Sequence, residues 1–211
     1  FDKATSSSDV SHGNVSVYES MDTTHYSIVD TEGNAIAVTT TLNDAYGSKL
    51  YCDELGFFLN DQMDDFSAKP GIPDAFGLLG GEANAVQPGK RPLSSMTPTI
   101  IFKDNELFLV TGSPGGSRII TTVMQLVLNV IDHKMNIADA IHAPRIHHQW
   151  YPDVLFLEMG ISHDTQVKLM AKNHRLSKRN AMGSTQSIMK IGNRLFGASD
   201  PRRPDANTRG Y

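Results

Sequence analysis

Two hairpin signals constrain this chain more than any other feature. Residues 25–29 (HYSIV) and 35–42 (AIAVTTTL) are β-rich runs joined by Asp30-Thr31-Glu32-Gly33-Asn34. Residues 99–102 (TIIF) and 107–110 (LFLV) are joined through Lys103-Asp104-Asn105 in the same manner. Short turn-rich links between β-formers dictate antiparallel pairing. A short strand is expected over 56–60, and then residues 61–97 are crowded with Gly, Pro and Asp. A loop-rich stretch of that length inside a compact domain is usually functional. Gly115-Gly116-Ser117 opens a helix in which Ile120, Val123, Met124, Val127 and Ile131 recur at helical spacing, with His133 and Lys134 near its C-terminal end. Further helices are predicted over 136–142 and from a Ser162 cap to about 172, and strands over 154–157, 186–189 and 194–197. Strands, then helices, then strands imply an α+β layered fold with mainly antiparallel sheets. Those sheets look short of cover, which points to a partner chain.

The chain has 211 residues, enough for one domain with a sizeable core. Its net charge of −4, with Lys and Arg scattered, argues against nucleic acid as the main partner. No apolar run approaches the ~20 residues that span a bilayer. Cys52 is the only cysteine and sits in an apolar, acidic stretch that does not favour a thiolate, so it reads as a packed thiol. Residues 1–22 are polar and serine-rich and read as a flexible segment. The sequence begins at Phe1 rather than Met, so an upstream portion is expected to have been removed or to belong elsewhere.

Four local groups carry chemistry. In Asp22-Thr23-Thr24-His25, a cut before Thr23 would create an α-amine with a pKa of ~8, a base for the residue's own hydroxyl. Without it, Thr23 is an ordinary β-former at a strand start. The hairpin's return strand brings Thr39-Thr40-Thr41-Leu42-Asn43 back near Thr23, where a hydroxyl could orient the nucleophile and Asn43 could bind substrate or the new amine. In the third group, the run from Asn60 to Phe66, containing Gln62 and Asp65, and Pro92-Leu93-Ser94-Ser95-Met96 read singly as solvated loop and turn. Together they suit an amino-acid head group, carboxylate to ammonium and hydroxyls to carboxylate. Last, Gly115 and Gly116 present backbone N–H groups at a helix start, fit for an oxyanion. A phosphate loop competes for that reading but lacks the G-x-x-x-x-G-K-[ST] spacing. His142, His147 and His148 match no common metal spacing and read as structural, so no metal or other cofactor is expected.

These motifs, with Arg145-Ile146-His147-His148-Gln149-Trp150 and Ala181-Met182-Gly183-Ser184-Thr185-Gln186, occur in an order and spacing that resembles the γ-glutamyltranspeptidase (glutathione hydrolase) family over residues 23–211. The resemblance implies an N-terminal-nucleophile hydrolase with an αββα sandwich, made as a precursor that cuts itself between Asp22 and Thr23. Residues 1–22 would end the large subunit, and 23–211 would form the small, catalytic one. It further implies that Thr23 is the nucleophile supported by Thr41, and that Gly115 and Gly116 form the oxyanion hole. Asn43, Gln62 and Asp65 would bind the γ-glutamyl α-amino and α-carboxyl groups, with Ser94 and Ser95 on the carboxylate. Partners implied are the large subunit, γ-glutamyl substrates such as glutathione, and an amino-acid, peptide or water acceptor, in a periplasmic or secreted setting. Two departures follow: Phe76 stands where bacterial relatives often carry a lid tyrosine, and the arginine gripping the α-carboxylate belongs to the large subunit. The chain alone is therefore expected to be inactive. Alternatives are a cephalosporin acylase or capsule-processing transpeptidase of the same fold, or an unprocessed or inactive form acting as a binding module.

Overall fold

The computed structural model describes residues 23–74 and 77–210. The expected flexible segment 1–22, Asp22 of the cleavage site and Phe76 of the lid lie outside the described residues.

The first hairpin pairs β1 (Thr24–Val29) with β2 (Ala35–Thr40), Thr24 opposite Thr40 and Val29 opposite Ala35. The Asp30 carboxylate closes its turn by accepting from the Glu32 and Asn34 amides, and Gly33 takes φ +88°. A two-strand clip follows, β3 (Tyr51–Cys52) with β4 (Phe57–Phe58), shorter than the strand predicted over 56–60. The described residues of 61–97 form two short 3-10 turns, Gln62–Asp65 and Glu82–Asn84, and two isolated β-bridges, Ser67 with Ala85 and Pro73 with Leu79. The second hairpin joins β5 (Thr99–Lys103) to β6 (Glu106–Thr111). Asp104 and Asn105 both adopt positive φ (53° and 63°), as a two-residue mirror-image turn requires.

Strands β10 (Gln186–Ile191) and β11 (Arg194–Ser199) complete a four-stranded antiparallel sheet in the order β11-β10-β6-β5. Interior position explains why Leu109, Val110 and Thr111 of β6 are fully buried. Helices α1 (Ile119–Ile131) and α2 (Ile137–His142) cover this sheet, with Leu126, Val130, Ile137 and Ile141 packed around Leu109 and Met189. The β1–β2 hairpin packs on β5, β6 and β10, giving a sheet-on-sheet layer backed by helices.

A third sheet departs from the sequence reading. β7 (Ile146–His147) pairs antiparallel with β8 (Leu155–Glu158), which pairs in parallel with β9 (Leu176–Arg179) through α3 (His163–Ala171). The run Leu-Ser-Lys-Arg of β9 lacks a β-former signature, so only its neighbour makes it a strand. Ser162 does precede α3, but its hydroxyl donates to Thr165 Oγ1 rather than capping a backbone amide.

Candidate active site

Hairpin register places the first site pair. Thr24 lies opposite Thr40, so Thr23 and Thr41 meet at the open end of β1–β2. The Thr23 hydroxyl donates to Thr41 Oγ1 at 3.1 Å, and Thr23 is only 4% exposed. Thr41 Oγ1 also accepts from the Asn43 amide at 2.9 Å. Asn43 is buried with φ +81°, a conformation that costs a non-glycine residue free energy and that Asn tolerates best. That backbone lets its side-chain Nδ2 donate to the Asp61 carbonyl at 3.1 Å, tying the hairpin end to the long loop.

On that loop, the Gln62–Asp65 turn folds Gln62 Nε2 onto Asp65 Oδ2 at 2.9 Å. Gln62 Oε1 is buried without a hydrogen-bond partner among the described residues, an acceptor unused by the protein itself. Burial raises the Asp65 pKa above the ordinary carboxylate value; the Gln62 bond opposes this, and Asp64, Asp74 and Asp61 add to it. A cation arriving there would relieve that unfavourable field. Ser94 Oγ accepts from the Met96 amide at 3.2 Å, which leaves its proton available to a ligand.

The glycine pair has the geometry that only glycine adopts readily. Gly115 has φ +134° and Gly116 φ +55°, just before the turn Gly116–Arg118 that leads into α1. Neither amide donates to an acceptor among the described residues, so two consecutive N–H groups stand unspent at a helix start. One cleft gathers Thr23, Thr41 and Asn43 with Gln62 and Asp65, Ser94 and Ser95, and Gly116. Gly115 is one residue behind and does not line it.

A further family of contacts had no signal in the sequence. Arg203, 180 residues from Thr23, donates from Nη1 to the Thr23 carbonyl at 2.9 Å. Arg203 follows a buried quartet in which Arg145 meets Asp200 at 2.6 Å and Arg202 forks onto both oxygens of Glu158. Two motifs without an assigned role meet here, since Arg145 also donates to the Met182 carbonyl and to Thr185. The three histidines do not converge. His147 bonds Thr121 and Gln149, His148 pairs with Asp153, and no cluster of metal-ligating side chains occurs among the described residues.

The gamma-glutamyltranspeptidase family model matches residues 2–209. The chain belongs to that family. It is 58% identical to the glutathione hydrolase proenzyme of Escherichia coli (strain K12) over 99% of its own length. That alignment spans 36% of the proenzyme, so the chain corresponds to about a third of this relative. Among solved structures, a gamma-glutamyltranspeptidase inhibited by acivicin, whose C-terminus has critical roles in its autoprocessing and catalysis, superposes with TM-score 0.82 at 50% identity. The match covers 85% of this chain and 98% of that one. The enzyme from Pseudomonas nitroreducens in complex with L-DON gives TM-score 0.83 at 43% identity, covering 89% and 100%. The fold is thus that of the N-terminal-nucleophile hydrolases.

Proposed function

We propose that this chain carries the catalytic centre of a glutathione hydrolase and γ-glutamyltransferase with Thr23 as nucleophile. One observation carries the reading: the Thr23 hydroxyl, Thr41, the Gly116 amide and the Gln62–Asp65 and Ser94–Ser95 pairs face a single cleft. The α-ammonium of a γ-glutamyl group would pair with Asp65 and Gln62 Oε1, and its α-carboxylate would accept from Ser94 and Ser95. Asn43 holds the loop that carries the first pair. With the head group so held, the γ-carbonyl is presented to Thr23 Oγ.

Attack forms a bond from Thr23 Oγ1 to the carbonyl carbon of the γ-amide (Cδ of the glutamyl group) while the Gly115 and Gly116 amides take the oxyanion, and the hydroxyl proton passes to the Thr23 α-amine. Collapse breaks the amide C–N bond, and the leaving amine takes that proton. The product is a γ-glutamyl ester on Thr23. Water then releases glutamate, or the amine of an amino acid or peptide accepts the γ-glutamyl group. Releasing the α-amine requires cleavage between Asp22 and Thr23, by attack of the same hydroxyl on the Asp22 carbonyl. Residues 1–22 would thereby belong to a large subunit and residues 23–211 to a small one.

A large-subunit partner accounts for the surface of α1. Its inner face is buried, yet Ile120, Met124 and Leu128 stand 41–51% exposed on the outer side, an apolar stripe that a covering chain would bury. No helix among the described residues is long and apolar enough to cross a membrane. A periplasmic or secreted site of action is part of this proposal.

Intact mass and N-terminal sequencing of the full-length protein, followed by turnover of glutathione and of a γ-glutamyl anilide, tests the reading. A polypeptide beginning at Thr23 and release of both leaving groups are expected. An uncut chain through Asp22-Thr23, or turnover of glutaryl-cephalosporin with none of glutathione, would overturn it.

A further inference from the structure

His147 is a buried titratable group that the reaction above does not use, although it lies in the Arg145–Trp150 motif. Its ring nitrogens reach the oxyanion turn and the first turn of α1 by separate routes. Nε2 lies 2.9 Å from Gln149 Oε1, and that same oxygen accepts from the Ser117 hydroxyl at 2.8 Å. The Gln149 amide is oriented by Nε2 donating to the Tyr151 carbonyl, so Oε1 is the acceptor and His147 Nε2 carries a proton. On the other side, Nδ1 is the acceptor of the neutral ring and takes the Thr121 hydroxyl proton at 2.7 Å, which ties the first turn of α1 to the ring. That turn follows directly on the glycine turn, where the Arg118 amide donates to the Gly115 carbonyl at 3.1 Å. One route ends at Ser117, which lines the cleft, and the other at the start of α1. Burial, with Arg118 and His148 nearby, lowers the His147 pKa and keeps the ring neutral.

The ring is held from a third side. It lies against Phe156 with centroids 6.1 Å apart and planes 17° from parallel, and β7–β8 pairing sets the two residues opposite each other. A side chain fixed by strand register, stacking and two hydrogen bonds is a rigid post. The glycine turn has no Cβ atoms to pack and needs such a post from outside.

We propose that His147 is a positioning residue for the Gly115–Gly116 donors, holding the turn through Gln149–Ser117 and holding the helix start that follows it through Thr121. The proposal rests on the catalytic reading above, and its signature differs from that of a merely structural core residue. Misplaced donors weaken transition-state stabilisation but leave head-group binding at Asp65 and Ser94–Ser95 intact.

The experiment uses the full-length protein and γ-glutamyl-p-nitroanilide, with His147→Phe, His147→Gln, Ser117→Ala and the double variant H147F/S117A. His147→Phe keeps the ring on Phe156 and removes both hydrogen bonds. It is expected to lower kcat on the order of tenfold with KM nearly unchanged. His147→Gln, whose amide can reach the Gln149 oxygen, restores most of the loss. The double variant loses no more than His147→Phe alone, because both changes cut one relay. An unchanged kcat, a rise in KM alone, failure of Gln to rescue, or losses that multiply would each overturn the proposal. If H147F does not mature, His147→Asn, which keeps the Thr121 contact and severs Gln149, replaces it in the cycle with Ser117→Ala under the same criterion. Absence of turnover by the unaltered, processed protein would instead sink the catalytic reading itself.

Discussion

Replacing Gly112 with alanine should unfold the junction between the two stacked sheets, and the reason is His25 rather than backbone strain. A Cβ built on Gly112 would lie 2.2 Å from His25 Cε1, 2.5 Å from Nδ1 and 2.7 Å from Nε2, over the face of the ring. The ring cannot swing away freely. Nδ1 bonds Thr39 Oγ1 at 2.8 Å, Nε2 bonds Ser27 Oγ at 3.1 Å, and Ser27 itself donates to the Gln186 carbonyl at 2.8 Å. Since Ser27 spends its proton on Gln186, Nε2 is the donor to Ser27 and Nδ1 accepts from Thr39. Relieving the clash needs a shift of more than 1 Å, at an overpacking cost of about 1–3 kcal/mol. Two buried hydrogen bonds would be broken with it, at about 1 kcal/mol each. The sum, about 3–5 kcal/mol, is a large share of the 5–15 kcal/mol typical of a folded protein. Urea unfolding of the full-length protein reads this directly. The double variant G112A/H25A supplies the control: with the ring gone, the new methyl enters the space it left, so the double variant should be no less stable than His25→Ala alone. Gly112→Ala within about 0.5 kcal/mol of the parent, or a double variant whose loss equals the sum of the singles, would refute the reasoning.

Other perturbations have equally definite outcomes. Burial lowers the His25 pKa from 6.5 to about 4, so the unfolded chain takes up a proton first as pH falls. His25 therefore withdraws stability between about pH 6.5 and 4, and His25→Ala should flatten the stability–pH curve in that window. Asp65 is shifted the opposite way, its native pKa raised, so its ionised form destabilises the empty cleft at neutral pH. Asp65→Asn should raise KM for γ-glutamyl substrates at least tenfold while leaving the unliganded protein slightly more stable to urea, on the order of 1 kcal/mol or less. The arginines hold the Asp200 carboxyl below the usual carboxylate range, giving stability that is present at neutral pH and lost as pH falls through its native pKa. Asp200→Asn leaves the Arg145 guanidinium without its charge partner and should cost about 3–5 kcal/mol in urea unfolding.

What could be read from the sequence was local. Turn chemistry at Asp30–Asn34 and Asp104–Asn105 fixed both hairpins, and hairpin register alone brought Thr41 to Thr23. The apolar spacing after Gly116 gave α1, although its first turn is 3-10 because two positive-φ glycines cannot begin a regular helix. The remainder depends on partners far apart in the chain. Strand β9 exists only because β8 offers it an edge, and no periodicity in Leu176–Arg179 announces it. Arg203 and Asp200 carry no local signal until folding sets one on Thr23 and the other on Arg145. His147 read as structural for want of a metal partner, and its neighbours Ser117, Thr121 and Gln149 come from a helix start and a loop that no spacing rule connects.

The position of Thr23 also bears on how one hydroxyl could serve both a self-cutting precursor and a mature enzyme. Among the described residues, every anchor that holds this residue lies on the C-terminal side of the bond to be cut. Its hydroxyl bonds Thr41, its carbonyl accepts from Arg203, and the first register pair of the hairpin is Thr24 with Thr40. Breaking the bond before Thr23 would remove none of these contacts and disturb no rung of the β1–β2 ladder. A nucleophile placed in mid-strand would lose its register on cleavage, and one on a free loop would lose its position. At the first residue before a strand, gripped by an arginine from the far end of the chain, the new α-amine would appear beside a hydroxyl that has not moved. The two jobs would thus call for no rearrangement of the contacts that hold Thr23 on its own side of the bond.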